Sequence, residues 1–184
     1  YSRFPRQRLT GEMLRDAMLA SAGLLVNADG GPGVFPPLAE ELKSTLLKDQ
    51  WTTSKDVADH YRRSVYVFAR RNLRFPMFDA FGRPAAEASC AVRYRSTTAT
   101  QLLLLLNSEF CQLMAQHVAG RALADSPEPS QQIEFIYAQC LSRAPMPAER
   151  AEFAQFLASQ TRLLREDERP ATKLALPLPA TDIK

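Results

Sequence analysis

Histidine and cysteine are scarce, since the chain of 184 residues has two of the first and three of the second. A zinc site needs three or four ligands at recognisable spacings, and neither H-E-x-x-H nor a close Cys/His pair occurs, so we expect no metal site. The cysteines are odd in number and widely spaced, which is not the pattern of a disulfide framework, although one pair could bridge in an oxidising compartment. Because C-x-x-C-H is absent, we expect no haem attached to this segment.

Long apolar runs are also missing. The most apolar run covers residues 102–106, far short of the roughly 20 residues that span a bilayer, so we expect no membrane insertion. No basic-then-apolar leader opens the sequence, and no signal peptide is expected in it. The loop at residues 30–37 is rich in glycine and proline, but it lacks a preceding strand and a G-x-G-x-x-G pattern, which argues against a nucleotide loop. A G-x-S-x-G nucleophile elbow is absent as well.

Apolar residues make up 46% of the chain, which is enough to build a core, and their spacing is mostly helical. The patterns predict a mainly α, irregular multi-helix domain with at most one short strand pairing. We expect one helical domain over residues 1–169 and an irregular tail over residues 170–184. The predicted helices fall near residues 10–26, 39–48, 76–81, 98–118 and 131–141, with a last one from Pro147 onward.

The helix after Thr98 carries the strongest signal. Thr98 and Gln101 stand at the spacing of a capping box, in which each side chain bonds the other residue's backbone N–H. A wide apolar stripe follows, so we expect this to be the central core helix; its members are Leu102, Leu103, Leu106, Phe110, Leu113, Met114 and Val118. The best strand candidate is residues 63–71, where large apolar side chains on both faces indicate burial on both sides, or an extended segment without a regular partner.

Arginine is concentrated in residues 62–95, which hold eight arginines, no lysine and two acids, whereas the whole chain has a net charge of only +3. Guanidinium groups form two-pronged hydrogen bonds with carboxylate, phosphate or sulfate. The arginines could line a groove for an anionic ligand such as a sulfated or uronic polysaccharide. They could instead be internal struts bonded to helix ends and acids, which their large apolar neighbours favour. The candidate ligand contacts are Arg62, Arg63, Arg70, Arg71, Arg93 and Arg95.

Three single residues have competing interpretations. Asp79 is either a general acid or base acting on a saccharide, or the ion-pair partner of an arginine, and we favour the ion pair. His117 is expected to be a helix-edge histidine satisfied by a hydrogen bond. Cys90 precedes Arg93, which would favour a thiolate, but we expect a packed thiol because burial is the usual fate of a free cysteine. No binding to nucleic acid is expected, since the overall charge is modest and no recognised motif occurs.

Six segments taken together resemble a known family. In chain order they are R-L-x-x-E-M-L-R-D-A-M-L (8–19), G-G-P (30–32), R-R-S-V-Y-V-F-A-R-R (62–71), P-M-F-D-A-F (76–81), S-C-A-V-R (89–93) and S-T-T-A-T-Q-L-L-L-L-L-N-S-E-F (96–110). This order resembles the DUF1553, or PSD1, domains of planctomycete-type exported proteins, over about residues 8–158. The chain departs from the family pattern at Ala99, where relatives commonly have proline, and in its C-terminal segment.

The resemblance implies a domain that follows a DUF1549 domain and often a cytochrome c domain in the same polypeptide. The upstream domain would then be a partner, and any haem would belong to it. Export implies the periplasm or cell envelope. Genes of the family lie among sulfatases and sugar-degrading enzymes, which implies polysaccharide capture or breakdown, and the family supplies no catalytic residues to carry over.

Three functions are therefore compared. We favour a non-catalytic accessory module that binds an anionic polysaccharide or an envelope partner. The first alternative is a saccharide-acting enzyme in which Asp79 or another acid transfers protons. The second is a structural cap for a neighbouring domain, which predicts a large exposed apolar patch.

Overall fold

The computed structural model describes residues 7–44, 46–47, 50–71, 73–85, 87, 89–93, 96–166 and 176–179. This part of the chain is mainly helical and has no β-sheet, which confirms the predicted fold class. Its contacts divide it into two compact units. The first contains Leu24–Cys111 with the described residues before Ser21, and the second contains Ser21–Gly23 with the described residues from Gln112 onward. The single domain over residues 1–169 stays a prediction.

Seven α-helices account for most of the described residues: α1 (Gly11–Ala22), α2 (Glu40–Ser44), α3 (Pro76–Ala80), α4 (Ala99–Asn107), α5 (Glu109–Asp125), α6 (Pro129–Leu141) and α7 (Pro147–Glu166). Two 3-10 turns, Ala58–Tyr61 and Ser64–Tyr66, lie between α2 and α3. Helices are present in all the predicted regions, but α1 and α2 are shorter than predicted, and the helix predicted over residues 98–118 is divided into α4 and α5. The irregular tail lies largely outside the described residues, and its described part, residues 176–179, has no regular secondary structure.

Helix α1 begins beside α3. The Thr10 hydroxyl accepts a hydrogen bond from the Met13 backbone N–H at 3.3 Å, which caps the first turn. Gly11 is required by packing, because a β-carbon there would lie 2.9 Å from the Met77 carbonyl oxygen and 3.0 Å from the Phe78 α-carbon. The helix ends at Gly23, whose φ of +75° suits glycine. The sequence therefore sets both ends of α1 with small or polar residues.

Residues 63–71, the best strand candidate, form no regular strand. The segment turns through Ser64–Tyr66 and then makes one isolated parallel bridge, between Val67 and Val34. Side chains of α1 cause the turn, because the Asp16 carboxylate accepts hydrogen bonds from both the backbone N–H (2.7 Å) and the hydroxyl (2.6 Å) of Ser64. The Ser64 backbone N–H is therefore not available for a hydrogen bond to a neighbouring β-strand. The β-like composition of the segment is overridden by tertiary contacts.

Aromatic rings run through the core of the first unit. Phe68 stacks on Phe35 with ring centroids 4.9 Å apart, and Phe35 meets the edge of Trp51 at 5.1 Å. Trp51 lies 6.4 Å from Phe75, which lies 4.8 Å from Phe78 on α3. Offset and edge-on contacts at these separations are favourable for aromatic pairs. A continuous aromatic row thus joins the fully buried Phe78 to the partly exposed Phe68.

The predicted capping box is confirmed at the start of α4, where Thr98 and Gln101 bond each other's backbone N–H groups. The central core helix is not one helix, because α4 ends at Asn107 and the Ser108 hydroxyl accepts a hydrogen bond from the Cys111 N–H, which caps α5. The expected burial of the leucine stripe is also wrong: Leu104 and Leu105 pack on the core, whereas three leucines are more than half exposed. These are Leu102, Leu103 and Leu106. Five consecutive leucines surround a helix completely, so one side of them must face away from the core.

In the second unit, α6 and α7 pack against each other. Their prolines, Pro129 and Pro147, stand at the helix starts, where a missing N–H costs nothing. The connection is held by Glu149, whose carboxylate accepts two hydrogen bonds from Arg143, each 2.6 Å long, and one of 2.8 Å from the Met146 N–H. These bonds to Arg143 and the Met146 backbone lower the pKa of the Glu149 carboxyl to about 2.

Candidate functional site

A buried guanidinium, that of Arg15 on α1, organises the arginine-rich segment. Its side chain is 1% exposed and donates to the backbone carbonyls of His60 (2.6 Å) and Arg62 (2.9 Å) and to the Ser64 hydroxyl (3.2 Å). Burial lowers the pKa of Arg15 to about 10, against the opposing effect of the neighbouring Asp16. Arg15 was not among the residues predicted from the sequence, although an adjacent Arg-Asp pair on a largely apolar helix was a usable signal.

Arg62 closes the glycine-rich loop from inside. Its guanidinium donates to the carbonyl oxygens of Ala28 (3.3 Å) and Pro32 (3.4 Å) and also to that of Gly30, and it lies 4.1 Å from the centre of the Tyr66 ring. The Tyr66 hydroxyl in turn accepts a hydrogen bond from the Gly30 N–H at 2.9 Å. Arg62 is buried, so it acts as an internal strut and offers no surface to a ligand.

Arg93 is engaged in the same way. Its Nη2 donates to both oxygens of the Glu12 carboxylate, at 2.9 and 2.8 Å, and its Nε donates to the Gly82 carbonyl oxygen at 3.2 Å. Arg83 approaches the same carboxylate at 3.7 Å. Partial burial acts to raise the pKa of Glu12, but the bonds and charge of Arg93, with backbone and Thr10 donors, outweigh it, and the pKa is lowered. Arg93 therefore has an internal carboxylate partner.

An open groove in the first unit brings two other candidate arginines together. It has a volume of about 570 Å³ and is lined by Phe35, Gln50, Thr52, Phe68, Ala69, Arg70 and Arg71. The Arg70 guanidinium donates to the Gln50 carbonyl oxygen, which fixes it at the groove wall. Arg71 is exposed and has no hydrogen-bond or ionic partner among the described residues.

The floor of this groove is aromatic. The Phe68 ring is 44% exposed, while its other face rests on Phe35. Gly33 allows this position, because a β-carbon there would lie 3.2 Å from the Phe68 ring. A ring that is fixed on one face and open on the other can stack on a flat apolar ligand surface. Phe68 and Thr52 were not among the site residues predicted from the sequence. The available signal for Phe68 was its place two positions before a pair of arginines.

The remaining candidates lie elsewhere. Arg63 is exposed and has no ionic partner among the described residues, but it does not line the groove. Arg95 lies outside the described residues. Asp79 is half exposed and lies 2.6 Å from Arg74, so the structure gives it an arginine partner. The five candidate arginines that the structure describes thus separate into struts (Arg62, Arg93), groove residues (Arg70, Arg71) and an isolated surface residue (Arg63).

Cys90 was expected to be packed, but it is exposed, with its thiol 3.1 Å from the Val92 carbonyl oxygen, because it lies in an irregular segment and not on a packed helix. His117 is buried, and its Nδ1 has no hydrogen-bond partner in the described part of the chain. In that part, all three cysteines are free and no group of three or more His, Cys, Asp or Glu side chains is placed to hold a metal ion. None of its helices has the length and apolar character needed to cross a bilayer.

Comparison with known proteins gives one match. A family model described as PSD1, protein of unknown function (DUF1553), matches residues 1–157. No match was found among curated proteins or among solved structures.

Proposed function

The chain belongs to the PSD1 (DUF1553) family, and from that premise we propose that it is a non-catalytic module that binds an anionic polysaccharide in the groove formed by Phe68, Arg70 and Arg71. The observation that carries the proposal is the combination of an exposed, supported aromatic ring with an unpaired guanidinium in one open groove. The apolar face of a sugar ring can stack on an aromatic ring, and a sugar acid group can pair with a guanidinium.

Each groove residue has a separate role in this proposal. Phe68 supplies the stacking surface, and its contact with Phe35 keeps the ring oriented before a ligand arrives. Arg71 supplies the charge for a carboxylate or sulfate group. Arg70 is held at the wall by the Gln50 carbonyl, and Thr52 adds a hydroxyl that can exchange hydrogen bonds with sugar hydroxyls. The groove is open, which suits a polymer that continues beyond the site.

The setting of the module follows from the family resemblance. We propose that it works in the periplasm or cell envelope, as part of a longer polypeptide whose upstream domain carries any haem. Its task would be to hold an acidic polysaccharide close to that domain. An envelope protein with an acidic surface is the alternative ligand for the same arginines.

Binding to acidic glycans tests the proposal directly. We expect the chain to bind polygalacturonate or a sulfated glycan at low ionic strength and to release it as salt rises, because exposed ionic contacts are screened. We expect Phe68→Ala to weaken binding roughly tenfold, the effect of losing about 50 Å² of apolar contact. We expect Arg71→Ala to weaken binding by roughly two- to fivefold, the effect of one exposed ion pair.

A charge-matched control separates the groove from general attraction. Arg162 is an exposed arginine near the end of α7, so Arg162→Ala removes the same charge outside the groove and should leave affinity unchanged. If Arg162→Ala weakens binding as much as Arg71→Ala, the groove is not the site. If neither acidic glycan binds at low salt, the proposal is rejected. If a neutral glycan displaces the bound acidic glycan as well as free acidic glycan does, the groove binds sugars by stacking and does not recognise their charge.

A specific observation also favours the structural role. Leu102, Leu103 and Leu106 are each more than half exposed on α4, and an apolar face of this kind marks a contact with another protein surface. We propose the upstream domain of the same polypeptide as its partner. Light scattering of the isolated chain tests this: we expect concentration-dependent association that Leu103→Glu reduces, and a chain that stays monomeric at every concentration would contradict it.

A further inference from the structure

The C-terminal segment L-P-L-P, residues 176–179, bonds to a single residue of α5. The Gln116 side-chain amide donates to the Leu176 carbonyl oxygen at 2.7 Å, and the Leu178 N–H donates to the Gln116 carbonyl oxygen at 3.1 Å. The two bonds use alternate residues of the segment and fix its register on the helix. The bonding groups are the carbonyl of Leu176, which precedes Pro177, and the N–H of Leu178, which lies between Pro177 and Pro179.

The prolines prepare this segment for docking. Proline fixes its own φ near −65°, and the residue before a proline is restricted to extended conformations. Leu176 and Leu178 both precede a proline, so the segment is extended before it meets α5. An extended peptide of this kind loses little conformational freedom on binding, which is why such segments are common ligands of protein grooves.

Gly120 leaves room on α5 for the backbone of the C-terminal segment. It lies four residues after Gln116, and a β-carbon there would overlap the Leu178 carbonyl oxygen and lie 2.7 Å from its carbon. Because position 120 has no side chain, the Gln116 carbonyl can accept a second hydrogen bond beside the one within the helix. Glycine is among the least favourable residues in a helix interior. Its presence in the middle of α5 is explained by the close approach of a second backbone.

We infer that the face of α5 at Gln116 and Gly120 is a binding groove for an extended leucine–proline peptide, with the chain's own residues 176–179 as its ligand. Recognition is through the peptide backbone. Position 178 must supply an N–H and therefore cannot be proline, whereas position 176 contributes only a carbonyl and exposes more than half of its side chain. The groove holds the C-terminal segment on the second unit, independently of any glycan binding.

Amide exchange of Leu178 in the full chain tests docking. Residues 177 and 179 have no N–H, so Leu178 carries the only exchangeable backbone amide of residues 177–179, and NMR follows its exchange as one resonance. We expect Gly120→Ala to speed exchange at Leu178 by roughly tenfold or more, since the hydrogen bond is lost, with the α5 amides unchanged because alanine favours the helix. Leu176→Ala, which keeps both bonds, should preserve protection.

A peptide added in trans tests recognition. The Leu178→Pro variant of the full chain has lost its docking N–H, so its groove should be vacant. We expect a fluorescein-labelled peptide with the sequence of residues 174–181 to bind this variant saturably by anisotropy, and to bind Leu178→Pro/Gly120→Ala at least roughly tenfold more weakly. Circular dichroism establishes that both variants are folded.

Three results would overturn the inference. One is equal exchange of the Leu178 amide in the wild-type chain and in Gly120→Ala. Another is the absence of saturable peptide binding by Leu178→Pro. The third is equal peptide affinity of the single and double variants, which would show that the peptide binds somewhere other than the glycine on α5.

Discussion

Replacing Arg15 by methionine should destabilise the first unit more than any surface change. Arg15 is 1% exposed and donates hydrogen bonds to two backbone carbonyls, those of His60 and Arg62, and to the Ser64 hydroxyl. Methionine keeps much of the volume and removes the charge. The two carbonyl oxygens would remain in place without their donor, because they belong to the backbone that the replacement does not alter; the Arg62 oxygen is buried and the His60 oxygen partly so.

The expected loss follows from those acceptors. When both partners of a buried ion pair are replaced by apolar residues, the free energy of unfolding can stay unchanged. When only one partner is removed, the other is left buried without a hydrogen bond. A buried polar group left without its hydrogen bond costs about 1–3 kcal/mol, so two carbonyls together predict a loss of about 3–5 kcal/mol. Contacts of the guanidinium with the Phe75 and Phe110 rings, at 5.9 and 5.7 Å, would be lost as well.

Urea unfolding followed by far-ultraviolet circular dichroism measures this loss as a change in the free energy of unfolding. Arg15→Lys keeps a cation but not the planar fork, so it should fall between the wild-type chain and Arg15→Met. Arg63→Met is the matched control, because Arg63 is exposed, and its effect should stay within about 0.5 kcal/mol. A loss under about 1 kcal/mol for Arg15→Met would refute the reasoning, since the carbonyls would then have found other donors.

Three further predictions concern acid stability, a helix cap and the leucine face. The pKa of Glu149 is lowered from 4.5 to about 2, so its pair with Arg143 stabilises the fold above pH 4.5 and is lost as pH falls toward 2. The melting temperature of Glu149→Gln should therefore depend less on pH in this window than that of the wild-type chain. Parallel plots of melting temperature against pH for the two chains would contradict this prediction. Thr98→Ala should lower the free energy of unfolding by about 1 kcal/mol through loss of the capping box, and an unchanged urea midpoint would show that the cap adds nothing. In the same titration, Leu105→Glu should lower the free energy of unfolding by about 2 kcal/mol or more, and Leu103→Glu by less than about 0.5 kcal/mol. Equal losses would mean that the two sides of α4 do not differ in burial.

Local signals predicted the helix ends well. The capping box at Thr98 and the proline that begins α7 each depend on residues within one helical turn, so the sequence contains the whole interaction. The break at Ser108 was missed for a different reason. A serine followed by an acid is a usual helix start, but five leucines before it made one long helix the simpler interpretation.

Interactions between distant segments were not predictable from periodicity. The turn at Ser64 is imposed by Arg15 and Asp16, which lie more than 40 residues earlier and bond backbone groups whose positions only the fold determines. The groove at Arg70 and Arg71 is likewise formed by segments that are distant in the sequence. Arg71 was selected from its own segment, whereas Gln50 and Thr52 reach the groove from another segment, and no sequence spacing joins them to it.

The aromatic row gives the molecule a built-in optical probe. The chain has a single tryptophan, Trp51, which is buried and touches Phe35, the ring directly behind Phe68. Its indole N–H is bonded to the Pro36 carbonyl oxygen at 2.8 Å, so its surroundings are fixed. Indole emission responds to small changes in neighbouring groups and backbone dipoles. A ligand that presses on Phe68 would therefore shift or quench the fluorescence of one known residue, and the natural chain would report occupancy of its groove without a label.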